Sequence, residues 1–195
     1  MRTVLITGAS SGIGAACAEV LAAENKYRLL LCARRADRLQ ALKKEILSKY
    51  PRTEVHTFLL DVRDSVAVMT AIESLPEEWK NIDILINNAG LSQGLDPIQE
   101  GDFGDWDRMI DTNVKGLLYV TKTVVPLLKK SEHAHIINIG SIAGKEVYPN
   151  GNVYCATKHA VDALNKAMRI DLLPFSIKVT AINPGMVETE FSAVR

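Results

Sequence analysis

Cysteine, histidine and long apolar runs are scarce in this sequence, and each scarcity excludes a class of protein. The three cysteines, Cys17, Cys32 and Cys155, have the spacing of neither a zinc site nor a disulfide framework. The 4 histidines do not cluster as metal ligands would, so no metal site is expected. No segment reaches the roughly 18 apolar residues of a membrane span, and no signal peptide is recognisable. Because an odd number of free thiols is typical of a reducing compartment, the sequence predicts a cytoplasmic protein.

Net charge is absent as well. The chain has 23 basic and 23 acidic side chains, which cancel. Nucleic acids and anionic membranes attract proteins with an excess of positive charge, so neither is expected as the main partner. Hydrophobic residues make up 47% of the 195 residues, enough for a sizeable core. Without repeats or linkers, residues 1–195 are expected to form a single domain.

Short apolar runs alternate with segments of helical periodicity along the whole chain. The runs predict strands at 3–7, 27–33, 54–60, 82–86, 135–139 and 177–182. Between them, apolar spacing predicts a helix from Ile13 with Ala16, Cys17, Val20 and Leu21 on its apolar side. Further helices are predicted through Leu39, Leu42 and Ile46, through Val66, Met69 and Ile72, over 105–130 with a bend at Pro126, and over 153–173.

Most of these strands show no strict polar alternation, which is typical of a sheet that helices cover on both faces. The β–α succession therefore predicts an α/β fold with a doubly wound parallel sheet. Such sheets bind ligands beyond the carboxyl ends of their strands.

The loop after the first strand is rich in glycine and serine. Glycines permit a tight turn and a close approach of the backbone to a pyrophosphate, and amides at the start of the next helix favour an anion. Glycine-rich turns are common, so it is the position between a strand and a helix that predicts a dinucleotide-binding loop. Its candidate contacts are Gly8, Ser10, Ser11, Gly12, Ile13 and Gly14.

The end of the second strand indicates which dinucleotide is bound. An acidic residue that binds the ribose of NAD would stand roughly 20 residues after the loop. Ala33 occupies that position and is followed by Arg34 and Arg35. Because a guanidinium can bind a 2′-phosphate, these residues favour NADP(H), although both arginines could instead be solvated loop charges.

Tyr154 and Lys158 are a candidate catalytic pair. They lie four positions apart at the start of a predicted helix, which places them on one face. A free tyrosine has a pKa of about 10, and a neighbouring ammonium lowers it. Tyr154 could then act as a general acid and base near neutral pH. Any helix can carry such a pair by chance, so the pair carries weight only together with other motifs.

Together these motifs resemble the single-domain branch of the short-chain dehydrogenase/reductase family. The Thr-Gly-x-x-x-Gly-x-Gly order of the first loop is the form found there, and Ser141 precedes Tyr154 at the family's separation. The resemblance covers the whole chain and implies a Rossmann-like fold with the tetrad Asn113, Ser141, Tyr154 and Lys158. Ser141 would bind the substrate oxygen, and Asn113 would bend its helix locally and hold a water on the proton path from Lys158.

The resemblance also assigns cofactor contacts to the ends of other strands. Asp61 and Val62 would contact the adenine, although Asp61 could instead be a helix cap. The Asn-Asn-Ala-Gly segment would support the sheet and reach the ribose, and the loop after the sixth strand would reach the nicotinamide and begin a substrate lid. The residues concerned in these two segments are Asn88, Ala89, Gly90, Pro184, Gly185, Val187 and Thr189.

Three segments, 136–143, 151–158 and 184–191, look most like family members that oxidise 3-hydroxy acids, including serine and allo-threonine. We therefore expect an NADP(H)-dependent oxidoreductase that interconverts a small secondary alcohol and its ketone. One alternative is a 3-oxoacyl-carrier-protein reductase, which would need a basic surface near the site, such as Lys129 and Lys130. Another is a non-catalytic NADP(H)-binding redox sensor, against which the complete tetrad argues.

By the same resemblance, the helices at 105–130 and 153–173 would pair with copies of themselves in a homotetramer. Their apolar positions Val120, Val124, Ala160 and Leu164 could serve that interface or could pack on the sheet. Family members usually extend roughly 50 residues beyond the point that Arg195 occupies, still within the size of one domain. We therefore expect residues 1–195 to lack the C-terminal lid and the last strand, either because they are the ordered portion of a longer protein, which we favour, or through truncation.

Overall fold

A six-stranded parallel sheet forms the centre of the computed structural model, in which residues 1–190 are described. The strands are β1 (Arg2–Thr7), β2 (Tyr27–Ala33), β3 (Val55–Leu59), β4 (Ile84–Asn87), β5 (His135–Ile139) and β6 (Lys178–Ile182). Their spatial order is β3-β2-β1-β4-β5-β6. From β1 to β3 each new strand is added on one side, and from β4 to β6 on the other, so the strand order switches between β1 and β4. Open sheets of this kind bind ligands at that point.

Helices cover both faces of the sheet. They are α1 (Gly12–Ala23), α2 (Ala36–Lys49), α3 (Ser65–Glu73), α4 (Phe103–Ile110), α5 (Leu117–Leu128) and α6 (Asn152–Asp171). Successive side chains of a strand point to opposite faces. In β1, Leu5 joins the core under α3, α5 and α6, whereas Val4 and Ile6 join the core under α1 and α2. The predicted doubly wound α/β fold is therefore confirmed.

The inward faces of two helices differ from the prediction. In α1, Cys17 and Leu21 pack on the core as expected, but Ala16 is exposed and Val20 is 66% exposed. In α3, Ile72 is buried, whereas Val66 and Met69 are exposed.

The faces that α1 and α3 actually bury carry Ala18 and Ala22 in α1, and Val68 with Ile72 in α3. Both helices are apolar on more than one side, so apolar spacing alone did not single out the buried face.

The predicted long helix over 105–130 is interrupted. A π-helical turn, Asp111–Gly116, lies between α4 and α5 and contains Asn113, where the family resemblance placed a local bend. Pro126 lies in the last turn of α5, where its missing amide removes a single helical hydrogen bond. Val120 and Val124 are buried in the core of the monomer, so of the two roles open to them they pack on the sheet.

A network of buried amides ties the centre of the sheet to its helices. Asn138, on β5, is fully buried; its Oδ1 accepts a hydrogen bond from Asn87 Nδ2 at 2.9 Å, and its Nδ2 donates to Asn165 Oδ1 at 3.0 Å. Asn87 also donates to Thr121 Oγ1 at 2.9 Å. The network joins β4, β5, α5 and α6 beneath the carboxyl edge of the sheet.

Within residues 1–190, no helix has the length and apolar character needed to cross a bilayer.

Candidate active site

One cleft of about 1010 Å³ runs along the carboxyl edge of the sheet, between the loops that follow all six strands. It brings together nearly all the residues that the sequence indicated. The predicted residues that line it are Gly8, Ser10, Ser11, Gly12, Ile13, Arg34, Arg35, Asp61, Val62, Asn88, Ala89, Gly90, Ser141, Tyr154, Lys158, Pro184, Gly185, Val187 and Thr189. Gly14 and Asn113 lie behind the wall of the cleft.

The glycine loop is held tightly against the loop that follows β4. Gly8 and Gly12 have positive φ angles of 64° and 54°, and a Cβ on Gly8 would lie 2.8 Å from Ala89 Cα. The Asn88 side chain donates to the carbonyl oxygen of Gly8 at 3.0 Å. A Cβ on Gly14 would lie 2.4 Å from Asn88 Nδ2, so Gly14 acts in packing rather than at the cleft surface.

The start of α1 is suited to binding an anion. Within the described chain, no side chain caps the N-terminus of α1 at Ser11, so backbone amides of its first turn lack a side-chain acceptor. The partial positive charge of a helix N-terminus favours a phosphate at such a position. The loop and helix therefore fit the pyrophosphate of a dinucleotide.

Arginines surround the end of the cleft next to β2. Arg34 is exposed and lines the cleft, whereas Arg35 donates hydrogen bonds to Ser10 Oγ and Ser11 Oγ, the latter at 2.8 Å. Asp61 lies nearby and pairs with Arg63 at 2.6 Å. The Arg63 guanidinium holds the pKa of Asp61 below its usual range.

The cap of α3 is Asp64, whose side chain accepts from the amides of Val66 and Ala67. The alternative reading of Asp61 as the helix cap is therefore wrong. Its carboxylate remains at the cleft wall, beside Val62.

Tyr154 and Lys158 lie at the other end of the cleft, on the first two turns of α6. Both are nearly buried, and Lys158 Nζ is 5.9 Å from the centroid of the Tyr154 ring. Lys158 Nζ donates to the carbonyl oxygen of Ile139, the last residue of β5, at 2.9 Å. Burial lowers the pKa of Lys158 to about 8. At neutral pH the amine of Lys158 is therefore mostly protonated, and its positive charge lies close to the phenol.

Ser141 begins the short 3₁₀ turn Ile142–Gly144 after β5. Its Oγ accepts a hydrogen bond from the Ala143 amide at 3.1 Å, which leaves the hydroxyl hydrogen available to a ligand in the cleft. The turn is pressed against α6, because a Cβ on Gly144 would lie 2.6 Å from the carbonyl oxygen of Lys158. The contact fixes the serine loop against the helix that carries the tyrosine and the lysine.

Asn113 ties the loop after β4 to α6. Its Oδ1 accepts from the Leu91 amide, and its Nδ2 donates to the Leu91 carbonyl oxygen, both at 2.8 Å. Nδ2 also donates to Thr157 Oγ1 at 3.0 Å, next to Lys158. A Cβ on Gly90 would lie 3.2 Å from Asn113 Oδ1 and 3.7 Å from Lys158 Nζ. Asn113 therefore lies directly behind the catalytic end of the cleft.

The cleft has further lining residues that sequence reasoning missed. Among them are Gln93, Arg108, Tyr148, Met186 and Glu190. Arg108 Nε donates to Gln93 Oε1 at 2.8 Å, which joins α4 to the loop after β4. Glu190 pairs with Arg35 at 2.9 Å. Its position after Thr189 and its charge, opposite to that of Arg35, were the signals that could have identified it.

Comparisons with known proteins agree with this geometry. The chain matches the short chain dehydrogenase family over residues 2–195. It is 44% identical over 194 residues to the NADP-dependent 3-hydroxy acid dehydrogenase of Schizosaccharomyces pombe, covering 100% of this chain and 74% of that protein. It is 45% identical over 193 residues to sulfoacetaldehyde reductase 2 of Chromohalobacter salexigens, covering 98% and 75%.

Solved structures share the fold. The closed form of serine dehydrogenase complexed with NADP⁺ aligns with a TM-score of 0.91 at 44% identity, covering 100% of this chain and 76% of that one. Serine dehydrogenase from Escherichia coli aligns with a TM-score of 0.89 at 42% identity, covering 95% and 83%. The chain belongs to the short chain dehydrogenase family.

Proposed function

We propose that this protein is an NADP(H)-dependent oxidoreductase that interconverts a small secondary alcohol and its ketone. The proposed substrates are 3-hydroxy acids such as serine or allo-threonine. One observation carries the proposal: a single cleft has a glycine loop and an arginine at one end and a nearly buried Tyr154–Lys158 pair at the other. The names of two relatives, a 3-hydroxy acid dehydrogenase and a serine dehydrogenase, support this substrate class.

Residues along the cleft fit the parts of NADP(H) in order. Arg34, with Ser10 and Arg35, would hold the 2′-phosphate, Asp61 and Val62 the adenine, and the start of α1 the pyrophosphate. The ribose would lie against Asn88, Ala89 and Gly90. Pro184, Gly185, Val187 and Thr189 would contact the nicotinamide. When bound, NADP(H) supplies or accepts the hydride that is exchanged with the substrate carbon.

The side chains at the catalytic end then handle the proton. Ser141 orients the substrate oxygen with its free hydroxyl hydrogen. Tyr154 accepts the alcohol proton during oxidation and donates a proton to the carbonyl oxygen during reduction. The Lys158 ammonium favours the phenolate form of Tyr154 by charge attraction, which is stronger because both side chains are nearly buried. Asn113, beside Thr157 and Lys158, continues the proton path through a bound water.

The position of Lys129 and Lys130 does not support the alternative function, a 3-oxoacyl-carrier-protein reductase. Lys129 and Lys130 follow the end of α5 and precede the start of β5, which places them at the amino edge of the sheet. The cleft lies at the opposite edge. Lys129 Nζ instead lies 3.4 Å from the centroid of the Phe175 ring. The complete tetrad Asn113, Ser141, Tyr154 and Lys158 argues against a redox sensor without turnover.

We also propose a cytoplasmic location and a homotetramer. Cys17, Cys32 and Cys155 are free thiols, which supports a reducing compartment. The outer faces of α4, α5 and α6 expose Ile110, Leu118 and Ile170, respectively, which supports an interface formed by these helices.

The function is tested by following NADPH absorbance with the purified protein. The substrate panel contains serine, allo-threonine, other 3-hydroxy acids and an acetoacetyl thioester. We expect turnover with the hydroxy acids and little with the thioester. A preference for the thioester would favour the carrier-protein alternative, and no turnover with any substrate would favour the sensor.

Tyr154→Phe tests the mechanism in the same assay. The variant keeps the ring but loses the hydroxyl that transfers the proton, so we expect kcat to fall by about 10²–10⁴-fold. NADPH binding, measured by fluorescence, should be unchanged. Turnover close to that of the wild type would show that another group transfers the proton.

A further inference from the structure

A cluster of opposite charges lies above the glycine loop, at the end of the cleft next to α2. The Glu190 carboxylate accepts hydrogen bonds from Arg35 Nη1 at 3.1 Å and Nη2 at 2.9 Å, and pairs with Arg38 Nη1 at 2.9 Å. Arg35 also donates to Ser10 Oγ at 3.3 Å and to Ser11 Oγ at 2.8 Å. These contacts join the segment after β6 to both α2 and the glycine loop.

The segment that ends at Glu190 spans the cleft. It leaves β6, at one edge of the sheet, and Glu190 reaches the start of α2, which follows β2 on the far side of β5, β4 and β1. On the way it passes close to the glycine loop, because a Cβ on Gly12 would lie 3.4 Å from Thr189 Cβ. Residues 184–190 therefore extend from the catalytic end of the cleft to its arginine end.

The ion pair between Glu190 and Arg38 involves a residue that does not line the cleft, so ligand binding alone does not explain it. Arg38 lies outside the residues that line the cleft, and Glu190 is its only ion-pair partner among the described residues. The Arg35 guanidinium, helped by Arg38 and Ser11, holds the pKa of Glu190 below its usual range, so the carboxylate is charged at neutral pH. Among the described residues, Glu190 is thus the link by ion pair between Arg38 and the cleft.

We propose that Glu190 is a positioning residue that clasps residues 184–190 over the bound dinucleotide, with Arg35 and Arg38 as its partners. The clasp opens whenever the dinucleotide enters or leaves. The inference rests on the proposed binding of NADP(H) and adds the residues that control its exchange. Half-exposed ion pairs are individually weak, so the clasp slows release yet opens on the timescale of turnover.

The test is the dissociation rate of NADPH and of NADH, measured by stopped-flow fluorescence. Glu190→Gln should release both dinucleotides about fivefold faster, since Glu190 itself is not among the residues proposed to hold the 2′-phosphate. Arg38→Gln should have a smaller effect in the same direction. The double variant should release no faster than Glu190→Gln alone, because both changes remove one interaction. Salt should accelerate release from the wild type more than from Glu190→Gln.

Glu188→Gln is the matched control, because it removes the same charge from an exposed position in the same segment. It should leave both dissociation rates unchanged, and circular dichroism should show that all variants are folded. Unchanged rates in Glu190→Gln, or additive effects in the double variant, would overturn the clasp. Tighter NADPH binding with unchanged NADH binding would also overturn it, since Glu190 would then compete with the 2′-phosphate. If the wild type binds neither dinucleotide, the proposed function itself fails.

Discussion

Lys158 is a charged residue kept where the surroundings disfavour charge. Its side chain lies on α6 and is buried beside the end of β5, and none of the ion pairs among the described residues includes it. Its hydrogen bond to the Ile139 carbonyl oxygen recovers only part of the lost hydration. Burial accordingly lowers its pKa from 10.5 to about 8. Because Lys158 lowers the stability of the fold and lies next to Tyr154, its role is in the chemistry of the site rather than in folding.

Lys158→Met should therefore make the protein more stable but inactive. At pH 7 the pKa difference corresponds to roughly 3 kcal/mol against the buried charge, and loss of the hydrogen bond to Ile139 offsets about 1 kcal/mol. We expect the free energy of unfolding in urea to rise by roughly 2 kcal/mol.

The pH dependence of this difference gives a further check. The lysine pKa is lower in the folded protein, so the folded chain binds fewer protons between about 8 and 10.5, and wild-type stability rises with pH in that window. The advantage of Lys158→Met should shrink from pH 8 towards pH 10.5. A difference that did not change with pH would contradict this account.

Arg34 is the residue through which the protein should distinguish the two dinucleotides. It lines the cleft and is exposed, whereas the neighbouring Arg35 is engaged by Glu190. Arg34→Ala should raise the Kd for NADPH about tenfold and the Kd for NADH less than about twofold, because only NADPH carries the 2′-phosphate. Fluorescence titration measures both constants, with Arg52→Ala as a control at an exposed loop. Equal losses for NADPH and NADH would show that Arg34 does not bind that phosphate.

At the scale of the elements, the amides of Asn87, Asn138 and Asn165 hold the two central strands to their helices. Asn138→Ala would remove hydrogen-bond partners from both other amides, which are buried. We expect the free energy of unfolding to fall by about 3 kcal/mol, measured in urea. Asn87→Ala combined with Asn138→Ala should cost less than the sum of the single changes. A loss below about 1 kcal/mol would show that the network contributes little.

All six strands and the location of the helical segments could be predicted from the sequence, because apolar runs alternate clearly with helical segments. The prediction of one helix over 105–130 was wrong, since a π-helical turn divides it into α4 and α5. The bounds of Tyr27–Ala33 and His135–Ile139 are the same in the structure. The buried faces of α1 and α3 could not be predicted, since Val20, Val66 and Met69 add apolar character on the outer side. The buried face of such a helix depends on how it docks on the sheet, which periodicity does not contain.

The sequence predicted most of the residues that line the cleft, but not all of them. Parallel strands end at one edge, so the glycine loop, Arg34 and Tyr154 had to lie on the same side of the sheet. Gln93 and Glu190 were missed because their positions depend on the paths of loops that have no periodic pattern. Arg108 was missed because it lies on α4, and periodicity does not contain how that helix docks over the cleft. The resemblance placed Asn113 correctly at an irregular helical turn, but not its contacts with Leu91 and Thr157.

At the scale of the whole molecule, the proposed tetramer has a candidate surface on α6. Ala156, Ala163, Ala167 and Ile170 are all exposed and recur at helical spacing, so small and apolar side chains form one outer stripe. Small side chains allow two helices to approach closely. This stripe replaces Val120 and Val124, which lie in the core of the monomer.

Ala163→Glu should therefore break the assembly without unfolding the chain. The carboxylate would lie in the middle of the stripe, where pairing with a second copy would bury two like charges side by side. Size-exclusion chromatography with light scattering should give four times the chain mass for the wild type and a smaller species for the variant, with the same circular dichroism. Met69→Glu, which changes an exposed apolar residue on α3, should remain a tetramer. A wild-type protein that elutes with the mass of one chain at micromolar concentration would show that the stripe does not pair.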